Sequence, residues 1–443
     1  MARLSRSGLG ALGRLALAAL FAIASRMRYS IEIHGLERTT RAPRTYFAIT
    51  HKRDMDSVAP LPPLLAHLGW RALLRDVHFA MRGDSFERGF LSRIILRPRW
   101  FLWLLRPISV GPVLRAVGVH PINGLQFHPA ESWLREALRT EGDAPASDRL
   151  SQAFQAYLAQ AIGMRTDTLA ALPLSHLLRW RFHAYIQGYI GPEIFAGAAR
   201  RRAERRLLAT AKRQLDDLAD WLRRGGSLYT APEGALSPDG RVSSIPAGLH
   251  RVLRAAPADT SVQPIVIVYD FMTVRRPRLF IDVAPAIEGA SSFTSHDLAV
   301  ALRVAWLANA RFTCTQLASE FLRLRLHAAI SVFAETDLAA HVYERAVALA
   351  AAGRHVDGRL LRPASAHRLA HAYLAYCERR GLVARTTSPA AVDPWQPIAE
   401  PPAEIARGDP GYGAIPLTYA CNELDEMLDV AEHAAPASSY LPF

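Results

Sequence analysis

The chain predicts an α/β fold, a mixed sheet flanked by helices, and three observations carry that prediction. Short apolar runs of strand length recur at Tyr29–Ile33, Tyr46–Thr50, Val77–Met81, Val117–Ile122, Ser227–Ala231, Val262–Tyr269 and Leu279–Val283. Between them lie stretches with helical periodicity, Leu61–Leu74, Leu150–Ile162, Ala203–Leu222 and Ile245–Leu253. Strands alternating with helices imply a sheet covered by helices. From about residue 290 helices alone are expected, at Leu298–Leu307, Thr315–Leu326, Asp337–Ala352 and Ala364–Arg380. The organisation that follows is an N-terminal segment (1–26), an α/β domain (27–290) and a helical C-terminal domain (291–443).

The elements follow from local chemistry. Leu15–Ala24 is uninterrupted and apolar, with Arg3, Arg6 and Arg14 before it and Arg26 and Arg28 behind. Such a run is about half of what a spanning helix needs. Ala22-Ile23-Ala24 has the Ala-x-Ala form of a signal cleavage site. Positive residues on both flanks favour an interfacial or embedded membrane anchor instead. Pro60, Pro62 and Pro63 open the helix at Leu61, and Gly225-Gly226 close the long one before them. Phe90–Leu105 mixes Trp100 and Trp103 with Arg93, Arg97 and Arg99, which suits a membrane interface or an amphipathic core helix. Pro394–Pro402 reads as a proline-rich linker.

Composition narrows the function. Half of the 443 residues are hydrophobic and the net charge is +13, carried almost entirely by arginine; Lys52 and Lys212 are the only lysines. A basic surface binds anionic membranes or nucleic acid, and no zinc-finger spacing or RNP-like aromatic signature supports nucleic acid. The three cysteines, Cys314, Cys377 and Cys421, are far apart, so neither a disulfide framework nor a zinc site is expected. His355, His367 and His371 raise a metal set, but no acid follows in a zincin-like order and a surface pair is the expectation. Neither glycine signature of nucleotide binding occurs, and the Gly-x-Ser-x-Gly elbow of serine hydrolases is missing.

One stretch concentrates chemistry: Thr50-His51-Lys52-Arg53-Asp54-Met55-Asp56-Ser57. A histidine at a strand end with a carboxylate five residues on is a small acid–base device. The carboxylate holds the imidazole in one tautomer and stabilises its charged form, and the imidazole takes a proton from a bound hydroxyl. On a helix the two side chains would diverge by about 140°, so a turn or helix start must lie between them. Asp54, at spacing three, is the rival partner. A second stretch, Pro232-Glu233-Gly234, follows the buried strand at Ser227–Ala231.

Together these resemble the glycerolipid acyltransferase family, the lysophosphatidate and glycerol-phosphate acyltransferases. The resemblance rests on His-x-x-x-x-Asp (His51 to Asp56), Gly-x-x-Pro (Gly118 to Pro121), Pro-Glu-Gly (Pro232 to Gly234) and the proline-bearing strand Val262-Gln263-Pro264-Ile265-Val266-Ile267. It spans roughly residues 27–290, with 124–206 as an insertion relative to the compact family pattern, and the helical tail is similar to that of the larger glycerol-phosphate acyltransferases. Two departures concern the acceptor. Asn123-Gly124 stands where the family has an arginine, and Glu233-Gly234-Ala235-Leu236-Ser237 stands for Glu-Gly-Thr-Arg-Ser. Guanidinium forks match phosphate oxygens, so a simple glycerol-phosphate acceptor does not follow. Arg200, Arg201, Arg202, Arg205 and Arg206 are a substitute, a seat on anionic lipid, or a solvated helix face.

The resemblance implies an O-acyltransferase at the cytoplasmic face of the inner membrane. A fatty acyl group would pass from acyl-CoA or acyl carrier protein to a hydroxyl of a lyso-lipid or glycerol-phosphate-like acceptor. His51 would be general base, with Asp56 orienting it; Pro232, Glu233 and Gly234 would bind substrate, Gly234 by letting backbone approach closely. No metal or resident cofactor is expected. The partners are the thioester donor, the lipid acceptor and an anionic membrane surface, not nucleic acid. The alternative is a membrane-bound lipid-binding or scaffold protein that kept the fold without the chemistry.

Overall fold

The computed structural model describes residues 19–20, 22–40, 42–52, 56, 59–69, 77–86, 90, 108–116, 118–122, 128–183, 185–186, 189–234, 236–237, 239–273, 276–328, 332–386, 394–397 and 416–433. In chain order the strands are β1 (Ser30–His34), β2 (Thr45–Ile49), β3 (Val77–Arg82), β4 (Val119–Ile122), β5 (His128–Pro129), β6 (Tyr189–Ile190), β7 (Ser227–Thr230), β8 (Ser261–Asp270), β9 (Arg278–Val283), β10 (Phe333–Ala334), β11 (Val383–Arg385) and β12 (Pro394–Pro397). Among the described residues the chain divides into two compact units, one built from His78–Arg224 and the other from residues 19–77 joined to Gly225 onward.

The second unit carries the mixed sheet, with strands in the order β1-β9-β8-β2-β7. β1 runs parallel to β9, β9 antiparallel to β8, and β2 parallel to both β8 and β7. Every residue of β2, β7, β8 and β9 is buried, the pattern of strands covered on both faces. Helices Ser295–Asn309 and Cys314–His327 pack on β8, and the second packs in turn on Glu335–Ala351, Pro363–Arg379 and Pro416–His433. Their predicted counterparts lie within one to three residues. The Leu61 helix ends at Leu68, earlier than the expected Leu74, because Gly69 adopts a left-handed backbone (φ 88°) that stops it.

Pro264 sits inside β8, where it cannot donate to a neighbour. The gap falls toward Ala284, just past the end of β9, whose N–H donates to the Pro264 carbonyl at 3.1 Å. The Gln263 side-chain amide donates to the Ala284 carbonyl in place of the missing N–H, while its oxygen accepts the Thr40 N–H at 3.0 Å. A neighbouring side chain thus repairs what proline removes.

One expectation for the tail is corrected. The stretch read as a linker from Pro394 contains β12, the middle strand of a small antiparallel sheet with β10 and β11. Trp395, buried and paired with Phe333, drives that strand, and the prolines occupy its two ends. The helix Pro416–His433, which no strand or helix reading anticipated, supplies residues to the site described next.

The first unit holds the parallel pair β3 and β4, the helices Ala130–Glu141, Gln152–Ile162 and Gly197–Arg223, and several single turns between them. Residues 130–207 enclose a hydrophobic cluster of their own around Leu134, Leu158, Leu169, Leu174, Leu177 and Ile186. Among the described residues no helix is long and apolar enough to cross a membrane.

Candidate active site

β2 ends at Ile49 and delivers His51 two residues later, and Asp56 sits in the turn before the Leu61 helix. Asp56 is fully buried. Its Oδ1 accepts the Tyr269 hydroxyl and its Oδ2 the Lys52 backbone N–H, while Tyr229 Oη donates to its backbone carbonyl at 3.4 Å. Burial and the Asp56 charge together hold the Tyr229 hydroxyl well above its ordinary pKa, so it stays a proton donor. Asp56 Oδ2 lies 3.9 Å from His51 Nδ1. That is beyond hydrogen-bond reach, a separation common in catalytic pairs that close only with substrate bound. The His51 side chain is 20% exposed, against 0% for Asp56, so the imidazole alone of the pair meets solvent. Asp54, the rival partner, lies outside the described residues.

The Pro232-Glu233-Gly234 loop lies against the same turn. Glu233 Oε1 accepts the His51 backbone N–H at 2.7 Å and Oε2 the Ser243 backbone N–H at 2.7 Å. A further bond, Ser237 N–H to the His51 carbonyl at 2.9 Å, closes the junction. Burial raises the Glu233 pKa to about 7, outweighing the two backbone donors and the nearby Lys52 and His51 charges. With both oxygens engaged, this carboxylate latches the backbone beside His51. Pro232 is half-buried in the turn closed by the Gly234 N–H on the Ala231 carbonyl at 3.1 Å. Gly234 has φ 71°, and among the described residues nothing beyond its chain neighbours lies within 4 Å of where a Cβ would stand. Its left-handed backbone is what demands glycine here.

Lys52 was not singled out by the sequence, yet it is buried at 2% exposure, and its Nζ pairs with Glu423 of the C-terminal helix. The other Glu423 oxygen accepts Gln316 Nε2 at 2.7 Å. A lysine that follows a strand-end histidine into the interior needs a counter-charge, but nothing local in the sequence says where that charge lies.

The arginine cluster is largely spent within its own unit. Arg202 and Arg206 pair with Glu141, and Arg200 with Glu204, leaving Arg201 and Arg205 exposed with no ion pair among the described residues. Pairing with Arg202 holds the Glu141 carboxyl below the ordinary range. His371 and His367 flank Glu335 at 3.0 and 3.9 Å, and no group able to hold a metal occurs among the described residues. Asn123-Gly124, Ala235 and nearly all of Phe90–Leu105 fall outside the described residues. No protein-family model matches the chain, and no curated protein matches it.

Proposed function

We propose that the chain is an O-acyltransferase, moving a fatty acyl group from an acyl thioester to a lipid hydroxyl, with His51 as general base. One observation carries the reading: a solvent-accessible imidazole faces a buried carboxylate that the protein fixes from two sides. In the step this supports, the ring nitrogen away from Asp56, Nε2, takes the hydroxyl proton as the oxygen attacks the thioester carbonyl. The carbon–sulfur bond breaks, and the imidazolium returns the proton to the departing thiolate. Asp56 stabilises the transient imidazolium. The balance is one ester and one thiol from one thioester and one alcohol, with CoA or acyl carrier protein as the leaving carrier.

Glu233 supports His51 through its backbone rather than by presenting a free oxygen. The acceptor's polar group then meets the loop around Pro232 and Gly234. The helix at 22–28 leaves Ile23 and Met27 exposed, with Leu20 ahead of them and Arg26 and Arg28 alongside. That mix suits an anionic membrane surface at the cytoplasmic face, where the lipid acceptor resides. A second reading, a membrane-bound lipid-binding or scaffold protein, draws on Leu236 standing where the resemblance expects arginine and on the full occupancy of Glu233.

The test is acylation of lysophospholipids and phosphate-free lyso-lipids by purified protein, with labelled acyl-CoA and acyl carrier protein in parallel and His51→Ala as control. Product that vanishes in the variant supports the transferase. Equal product from both proteins removes His51 from the role of base, and no product with any acceptor favours the scaffold.

A further inference from the structure

The helix Pro416–His433 touches both loops of the candidate site through one of its faces. Tyr419, Asn422, Glu423 and Glu426 recur at the i, i+3, i+4, i+7 spacing that lines a helix on one side. Glu423 takes the Lys52 ammonium, and the Lys52 backbone N–H in turn holds Asp56. The remaining three meet the segment beyond Glu233. Asn422 Nδ2 donates to the Asp239 carbonyl at 3.1 Å. Glu426 Oε2 accepts the Val242 N–H at 2.7 Å. The Tyr419 carbonyl packs so close on Gly240, whose φ is 92°, that a Cβ there would collide with it. Ser243, next along, is the residue whose N–H occupies Glu233.

Coverage of an apolar surface needs no such chemistry, because leucines would do it at lower cost. A buried ion pair is expensive to desolvate, and well-packed hydrophobic residues often serve stability better. Here Glu423 and Glu426 are both buried: Glu423 has both oxygens hydrogen-bonded, to Lys52 and Gln316, while Glu426 accepts the Val242 N–H and forms an ion pair with Arg303. Directional, charge-assisted bonds fix geometry where apolar contacts would allow sliding.

We propose that this helix is a clamp that sets the His51–Asp56 loop against the Glu233 loop, with Glu423 as its positioning residue. The proposal builds on the reading of His51 as the base, though its main test does not need turnover. Glu423→Gln keeps the shape and removes the charge that holds Lys52. Asp425→Asn serves as control: it breaks the Arg323–Asp425 pair (2.6 Å) elsewhere on the same helix.

Hydrogen exchange read by mass spectrometry on the full chain is the deciding measurement. In Glu423→Gln, amides of residues 50–52 and 239–243 should lose protection together, by tenfold or more, while β8 and β9 keep theirs. Asp425→Asn should leave both segments as in the parent. Unchanged protection in Glu423→Gln, or loss in only one of the two segments, overturns the clamp, as does equal loss in the Asp425→Asn control. If the parent acylates a lipid, Glu423→Gln should lower kcat at least tenfold with KM nearly unchanged, and an unaltered kcat overturns the proposal. A parent without turnover refutes the transferase reading alone, because the exchange result still decides the clamp.

Discussion

Two clusters of buried charge lie one residue apart along β8, and they differ in one respect. Tyr269 reaches Asp56, beside His51. Asp270, the next residue, accepts Thr315 Oγ1 at 2.7 Å and Thr273 Oγ1 at 2.8 Å and meets Arg359 at 3.3 Å. Successive side chains of a strand diverge to opposite faces, so one strand end feeds both. In the second cluster Arg278 bridges Asp357, at 2.6 Å, and Glu32, while Arg359 spans Asp357 and Asp270. Among the described residues no imidazole takes part in it, and its acids and bases are paired with one another. The first cluster fixes its acid fully and leaves its imidazole 3.9 Å away and partly open. Burial of charge is therefore no mark of chemistry by itself; an accessible group beside an immobilised partner is.

The largest effects should separate the two. Arg278→Met takes from Asp357 its buried partner and leaves it only the half-buried Arg359, and breaking a buried pair this way costs up to about 3–5 kcal/mol. Denaturant unfolding should register that loss while acyl transfer per folded molecule stays unchanged. His51→Ala should do the reverse, lowering turnover by roughly 10²–10⁴-fold with an unaltered unfolding midpoint. If either variant moves both quantities, the division of labour is wrong.

Acidity sharpens the contrast next. Burial raises Glu233 and Asp357 alike to about 7. A carboxyl whose folded pKa exceeds its unfolded value favours the folded state most when protonated. That stability is complete below the unfolded value and is lost as pH rises through the folded one. Melting temperature should thus fall between about pH 4.5 and 7 on account of both groups. Glu233→Gln and Asp357→Asn should each flatten part of that slope. Only Glu233→Gln should also disturb His51, seen as a changed pH profile of turnover; a matching change in Asp357→Asn would join the clusters functionally.

A smaller step is Tyr269→Phe, which removes one donor from Asp56. A hydrogen bond to a charged group contributes about 1.5–3 kcal/mol, so turnover should fall by roughly tenfold or more. Undiminished turnover would mean that the Tyr269 hydroxyl is not needed to hold Asp56. Least of all, Glu204→Gln on the exposed arginine-bearing helix should shift stability by no more than about 0.5 kcal/mol; a larger change would give that surface pair a structural part it does not have in this arrangement.

What the sequence made legible was whatever is written locally. The strands leading to His51 and Glu233 are apolar runs bounded by polar turns, and the histidine and its acid lie within five residues. Pro264 is visible as an oddity in a strand, but its repair by Gln263 depends on which edge the gap faces. Lys52–Glu423 was not legible, since a pair 371 positions apart leaves no periodicity to find. β12 was hidden by its prolines, whose composition outweighed the single buried tryptophan that orders it.

The span between Lys52 and Glu423 also has a consequence in time. Ribosomes add about 5–20 residues per second, so the 371 positions place Glu423 on the chain roughly 20–75 s after Lys52. Throughout that interval Lys52 lacks the counter-charge it has in the folded protein. The Lys52–Glu423 pair can close only once both residues have been made.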